Sequence, residues 1–407
     1  MVSNNVNGRK IWGLKPNIFF LGVTSFLTDV SSEMIFTLLP LFLFNVLGAG
    51  ATVVGLVGGV SESSDAILRI ASGWISDKVG KRKPLAVLGY GISTLAKPFM
   101  YLATAWSGVL AVRLGDRLGK GIRTSSRDAL LADSLSSGER GKGFGLHRAM
   151  DTAGAAFGLI ITAIVVYLLQ GGGLELDVVT YRWLVVIGVI PAIMGFLVLI
   201  TLVRERGRKK PEVNTGSVAD LNRRKSGGFG KRFKLFLLVM GVFTLGNSSD
   251  FFVILRAQNL NVPLVQVISM LILFNLVYAL TSIPAGMLSD KLGRRKLIAV
   301  GWFIYALVYL GFAIGSSQWH LWLLFAGYGV YYGVVEGIAR AFVADLVPIE
   351  KRGTAYGLYH GVIALALLPA SLIAGWLWQE VNPSAPFFLG AGLAFIAMMG
   401  LLALIRE

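Results

Sequence analysis

The stretch RLGDRLGKGIRTSSRDALLADS, residues 113–134, sets Arg113, Arg117, Lys120, Arg123 and Arg127 beside Asp116, Asp128 and Asp133 in a chain that is otherwise mostly apolar. It is either a water-exposed loop or a helix that carries charge through a membrane. Advancing 100° per residue places Arg113, Asp116, Arg117, Lys120, Arg123, Arg127 and Asp128 within an arc of roughly 140°, with Leu114, Leu118, Ala129 and Leu130 mainly outside it. A loop has no reason to keep that spacing. A helix does, because one face can meet water or counter-charges while the other meets lipid or apolar neighbours. The spacing predicts a helix over 106–131.

The surrounding chain says what that helix crosses. Its 407 residues are 55% hydrophobic and 15% charged, with mean hydropathy +0.69. Soluble domains carry about 25% charged residues. Apolar blocks near the length of about 20 residues that spans a bilayer recur from end to end. They predict helices over 17–45, 52–76, 84–103, 106–131, 143–169, 181–203, 234–256, 264–288, 297–315, 319–345, 354–378 and 385–405. The short alternating segments of a β-barrel are missing. The expected fold class is an all-α polytopic membrane protein with twelve transmembrane helices. The basic, Gly- and Ser-containing stretch 204–234 reads as a linker between six-helix bundles at 1–203 and 235–407. There is no cysteine, hence no disulfide and no thiolate chemistry.

The net charge of +16 would suit nucleic acid, yet its placement points elsewhere. With both termini inside, the expected cytoplasmic segments hold 27 of the 38 Lys and Arg, while the outer loops hold Arg182 and Arg256. That is the asymmetry of a multi-pass plasma-membrane protein, and it accounts for the basic charge without nucleic acid. The polar start, MVSNNVNGRKIWGLKPN, reads as a cytoplasmic tail, not a signal peptide. Nine further basic residues fall inside predicted helices: Arg69, Lys97, Arg113, Arg117, Lys120, Arg123, Arg127, Arg148 and Arg340. At that depth a charge is costly, so such residues face protein or a water-filled cavity.

The two halves echo each other. GWISDKVGKRKPL at 73–85 returns as GMLSDKLGRRKLI at 286–298, and ADSLSSGERGKGFGL at 132–146 returns as ADLVPIEKRGTAYGL at 344–358. SSE at 31–33 lines up with SSD at 248–250. Ordered matches of this kind argue for duplicated bundles, as parallel repeats do in transporters. The loop after the second helix, repeated after the eighth, resembles the signature G-x-x-x-D-[RK]-x-G-R-[RK] of the major facilitator superfamily (MFS). The resemblance extends over nearly the whole chain and implies two six-helix bundles around a central cavity that opens alternately to each side. It also implies a conformational latch, carried to Gly73, Asp77, Gly80, Arg82 and Lys83 and to Asp290, Gly293 and Arg295. The other reading of Arg82 and Lys83 is a topogenic basic loop. Two further family elements depart from pattern. The helix-4 Arg-x-x-Gln-Gly element reads Arg117-Leu-Gly-Lys120-Gly121, and the helix-5 antiporter motif falls at Gly154–Gly158 without its Pro and with Leu159 for its final Gly.

Two readings of the helix-4 stripe stand. Arg113, Arg117 and Lys120, with Asp116, form an electropositive wall for an anionic substrate group, since guanidinium forks match carboxylate or phosphate. Alternatively the cations are held in internal ion pairs with Glu62, Asp65 or Asp151, the reading favoured for Arg123 and Arg127. Proton coupling needs a carboxyl group in a partly dry site, and the candidates are Asp29 and Glu33 in helix 1 and Asp250 in helix 7. The resemblance implies that helices 1, 4, 7 and 10 line the cavity, which adds Asn247, Glu336 and Arg340; the last two also have the favourable i,i+4 order of an ion pair. His147 and His360 read as structural. Gly-rich stretches such as GVYYG read as close helix contacts.

No HExxH, GxSxG or Walker loop is present, which argues against a membrane enzyme or an ATP-driven pump. The function expected is secondary transport of a small organic solute, a drug or an organic anion, coupled to protons. The alternatives are proton-independent anion or phosphate exchange, or sensing without flux. Expected partners are the solute, protons and the lipid bilayer; no cofactor or metal is expected, and the chain is expected to be a monomer.

Overall fold

The computed structural model describes residues 16–79, 82–134, 140–205, 229–348 and 351–405. Among them the regular structure is helical throughout. Six long helices come first: α1 (Pro16–Phe36), α2 (Ala51–Val79), α3 (Lys83–Ala96, continued by a 3₁₀ turn over Lys97–Leu102), α4 (Trp106–Ser134), α5 (Arg140–Gln170) and α6 (Val178–Leu202). There follow α7a (Lys231–Gly246), α7b (Phe251–Asn259), α8 (Leu264–Leu292), α9 (Arg294–Ile314), α10 (Gln318–Leu346), α11 (Arg352–Glu380) and α12 (Ala385–Leu404). The charged stretch is helix over its whole length, three residues beyond the predicted end.

Among the described residues ten segments are long and apolar enough to cross a membrane. The 29-residue helices α2 and α4 are as long but carry more charge.

Two expected helices are interrupted. The first ends at Phe36 and resumes as a short turn over Leu39–Leu41 and a π-helical turn over Phe42–Val46. Pro40 explains the break, because its ring collides with the carbonyl four residues earlier, that of Phe36, and it has no N–H to donate. The seventh breaks at 247–250, where Asn247 has φ −100° and ψ 75°. Asn, Ser, Ser and Asp in succession offer the backbone side-chain alternatives to the helical ladder.

The chain forms two compact units: Met1–Leu38, Leu68–Val165 and Val178–Lys209 in one, Leu39–Ile67, Val166–Asp177 and Lys210–Glu407 in the other. In the first, α1 packs on α6 and α3 on α4. In the second, α8 packs on α10, α9 on α10 and α12, and α7a on α11 and α12. The α3–α4 crossing positions the charged helix. A Cβ on Gly119 would stand 2.5 Å from the Gly89 carbonyl and 2.7 Å from the Ser93 amide, so only glycine lets the two backbones approach this closely. Gly293, at φ +93°, closes α8 in a conformation that side chains resist, and α9 starts at the next residue.

Gly119→Ala is expected to destabilise the purified protein by roughly 1–3 kcal/mol, since the colliding atoms are backbone. Gly392→Ala, with open space around it, is expected to leave the melting temperature unchanged or raise it. Thermal melts in detergent compare the two; equal effects would disprove the tight crossing.

Candidate functional site

In the first unit, the inward face of α4 is assembled against α1, α3 and α5. Lys97, in the 3₁₀ turn after α3, is fully buried. Its ammonium donates to the hydroxyls of Ser31 at 2.9 Å and Ser32 at 3.1 Å on α1, with the Thr28 carbonyl at 3.5 Å. Among the described residues no carboxylate reaches ion-pair distance of it, while Asp116 and Asp29 act on it at longer range. Asp116, also buried, accepts a hydrogen bond from the Ser93 hydroxyl at 2.5 Å and lies 3.7 Å from Arg113, whose guanidinium stacks 4.3 Å from the centre of the Phe36 ring. Arg123 lies over the Tyr90 ring at 4.6 Å and donates to Ser93 at 3.3 Å. Arg127 pairs with Asp128 at 2.9 Å and donates to Ser25 on α1 at 2.9 Å. The Nε of Arg117 is buried without a hydrogen-bond partner.

The stripe therefore engages rings, hydroxyls and Asp residues on its own and neighbouring helices. Asp29 on α1 faces Asp151 from α5 and Lys120, Arg123 and Arg127 from α4. Glu33 accepts a hydrogen bond from Thr37 at 2.5 Å, within α1 and the turn after it. His147 lies 3.6 Å from Asp151. Glu62, one of the counter-charges weighed for the stripe, accepts the Ser249 hydroxyl at 3.0 Å in the second unit. The Asp65 side chain lies outside the described residues.

The second unit gathers a different chemistry around the α7 break. Asp250 accepts hydrogen bonds from the hydroxyls of Tyr328 at 2.6 Å and Tyr332 at 3.3 Å, both on α10. Phe274 on α8 stands with its centroid 5.4 Å from each of those rings, and Tyr278 is 6.0 Å from Tyr332. Tyr278 in turn donates to Glu336, which pairs with Arg340 at 2.8 Å. Tyr328, Tyr332, Glu336 and Arg340 recur every four residues and so share one face of α10. Asn247 lies in the break, not in a helix, and its side-chain oxygen is buried with no hydrogen-bond partner.

The residues of the family-type loops separate. Asp290 lies 3.5 Å from Arg294, which also reaches Asp345 at the end of α10 at 3.0 Å. Arg295 instead donates to the Leu402 carbonyl. In the first unit the Arg82 and Lys83 amides donate to Glu205 at 3.3 and 2.7 Å, so this carboxylate closes the start of α3. Gly73 and Asp77 lie in α2, but the Asp77 side chain and Gly80 fall outside the described residues. Arg256, expected near an outer loop, is buried in α7b and donates to the Phe312 and Ala313 carbonyls at the end of α9.

Lys97, Ser31, Ser32, Tyr328, Tyr332, Phe274 and Arg294 were not among the sequence candidates. Lys97 had a signal as an isolated cation in an apolar run. The tyrosines had only the GVYYG context, whose Gly329 lies against the Phe274 backbone and brings α10 onto α8.

The Arg113–Asp116 pair gives a testable consequence. Asp116→Ala is expected to cost about 3 kcal/mol by leaving buried donors uncompensated. Adding Arg113→Met is expected to recover at least about 1 kcal/mol of that loss in a double-mutant cycle. Additive effects in denaturant or thermal unfolding would refute the coupling.

Comparison with known proteins now places the chain. A model of the Major Facilitator Superfamily matches residues 21–255 and 235–407. An uncharacterized MFS-type transporter of Methanocaldococcus jannaschii is 42% identical over 409 residues, covering 98% of this chain and 96% of that one. Among solved structures, a variant of the nucleoside transporter NupG superposes with TM-score 0.79 at 13% identity, covering 96% of this chain and 100% of that one. A D-xylose-proton symporter superposes with TM-score 0.75 at 15% identity, covering 96% and 98%. Such low identities carry the fold alone. The family match and the 42% relative carry more: this chain is a multi-pass membrane protein that belongs to the Major Facilitator Superfamily.

Proposed function

We propose that the protein is a proton-coupled secondary transporter that moves a small organic solute by alternating access, with Asp250 as the coupling carboxylate. In this reading the chain works as a monomer in the plasma membrane with both termini in the cytoplasm. It has twelve spans, α2 and α4 included, and residues 204–234 link bundles at 1–203 and 235–407. The observation that carries the coupling is the setting of Asp250. It is held by two tyrosine hydroxyls at a helix break, and among the described residues no Lys or Arg pairs with it. A carboxylate in an apolar site without a cation is suited to take up and release a proton.

Asp29 faces Asp151 as well as Lys120, Arg123 and Arg127 within the first unit, so it sits in a mixed-charge network and not alone. We assign it, with Glu33, a supporting part in keeping that network neutral. Arg113, Arg117, Lys120, Asp116, Asn247, Glu336 and Arg340 are assigned to the solute cavity, and the Asp290–Arg294–Asp345 group to a conformational latch alongside Asp77, Arg82 and Lys83. A second reading, proton-independent exchange of an organic anion or phosphate, is favoured by one observation: the buried Nε of Arg117 has no hydrogen-bond partner and could serve an anionic oxygen.

Reconstituted vesicles loaded with a broad solute panel, with and without an imposed pH gradient, test the proposal. The expected result is gradient-driven accumulation of at least one solute. Asp250→Asn is expected to abolish that accumulation while keeping downhill exchange, and to impair it more than Asp29→Asn or Glu33→Gln. Full accumulation by Asp250→Asn would move coupling elsewhere. Exchange that ignores pH and is lost in Arg117→Ala would establish the second reading, and silence across the whole panel would remove the transport assignment.

A further inference from the structure

Among the described residues several carboxylates have a cation within ion-pair distance, and Asp250 does not. Asp116 has Arg113, Asp128 has Arg127, Asp290 and Asp345 share Arg294, and Glu336 has Arg340. Among the described residues the side chains that hold Asp250 are neutral tyrosine hydroxyls. The Tyr328 and Tyr332 rings that hold it pack against each other and against Phe274, with centroid separations of 5.1–5.4 Å. The side-chain oxygen of Asn247, in the same four-residue break, is buried and accepts no hydrogen bond among the described residues. One unmatched negative charge, an idle carbonyl dipole and aromatic faces are all electron-rich, and together they complement a positive, largely apolar ligand.

We propose that Asp250, Phe274, Tyr328 and Tyr332 form a binding site for a monovalent organic cation, which takes the place of a proton on Asp250. The inference rests on the coupling role proposed for Asp250 and adds the substrate class. The charge balances: one cation enters as one proton leaves, so the carboxylate stays compensated in both states. An anionic solute would meet the Asp250 charge at close range, and a neutral one would leave it uncompensated. Other titratable groups facing Asp250 are Tyr309 from α9 and Tyr331 from α10, with Tyr328 and Tyr332 themselves. Glu62 from α2 acts on Tyr332 and accepts the hydroxyl of Ser249. None of these can supply a positive charge.

Equilibrium binding of radiolabelled tetraphenylphosphonium to the purified full-length protein tests the site. Triphenylphosphine oxide serves as the neutral analogue and tetraphenylborate as the anion of the same shape. Saturable binding is expected for the phosphonium, tightening about tenfold per pH unit over the range in which one proton is exchanged, with about one proton released per cation bound. Asp250→Asn is expected to weaken it at least tenfold and remove the pH dependence. Tyr332→Ala is expected to weaken it more than Tyr332→Phe, because the ring and not the hydroxyl faces the cation. Variants are compared only when they elute as a single species and melt within a few degrees of the parent, and Asp250→Glu supplies a second carboxylate variant expected to retain pH-dependent binding.

Equal affinity for the phosphonium and the oxide, pH-independent binding, or full binding by Asp250→Asn would each overturn the cation site. Its failure is separable from failure of the transport reading. A protein that binds no phosphonium yet accumulates another solute under a pH gradient has lost only this inference. One that moves nothing has lost the reading beneath it.

Discussion

A charge inside a bilayer must be faced by protein or water, and that constraint orders most of this structure. In the proposed twelve-span arrangement the charged helix α4 is tolerable because its cations meet hydroxyls, ring faces and Asp side chains on α1, α3 and α4 itself. The Gly89–Gly119 crossing is what lets α3 come close enough to offer Tyr90 and Ser93. Lys97 extends the same logic, since its ammonium is held by two serine hydroxyls and directed towards a backbone carbonyl. Electrostatic matching and close backbone packing are therefore one device in the first unit.

The second unit answers the same constraint differently. Its α7 break carries a carboxylate met by tyrosines, and the neighbouring helices supply rings where the first unit supplies cations. The repeat visible as SSE and SSD has diverged accordingly. Ser31, Ser32 and Glu33 lie in continuous helix, where the serines hold Lys97, whereas Ser248, Ser249 and Asp250 lie in the interruption. Duplicated sequence has been turned to opposite electrostatic ends.

Local order was readable before the structure. The 100° periodicity of residues 113–128 made α4 a helix, the repeated loop indicated the family, and the i,i+4 order of Glu336 and Arg340 indicated their pair. What escaped depends on contacts between elements distant in sequence. Tyr278 and Glu336 are 58 residues apart and Asp250 and Tyr328 are 78 apart, so no spacing rule joins them. The break at 247–250 is flanked by apolar runs that read as one helix, although four polar residues in succession were a legible warning. The hydrogen bond between Ser249 and Glu62, 187 residues apart, is likewise beyond any spacing rule.

In the proposed twelve-span arrangement the close α3–α4 crossing also bears on how the chain enters the membrane. An Arg, Lys or Asp at the centre of an isolated helix raises the cost of insertion by about 2.5–3.5 kcal/mol, and α4 carries several. Taken one helix at a time, α4 would stay in water. Only three residues separate the end of the α3 turn at Leu102 from Trp106, and Gly119 nests against Gly89. The two helices can therefore partition as a hairpin, with Tyr90, Ser93 and Lys97 already lying along the charged face when it leaves the aqueous phase. A bulky residue at Gly119 would then reduce the yield of inserted protein before it affected the stability of the finished fold.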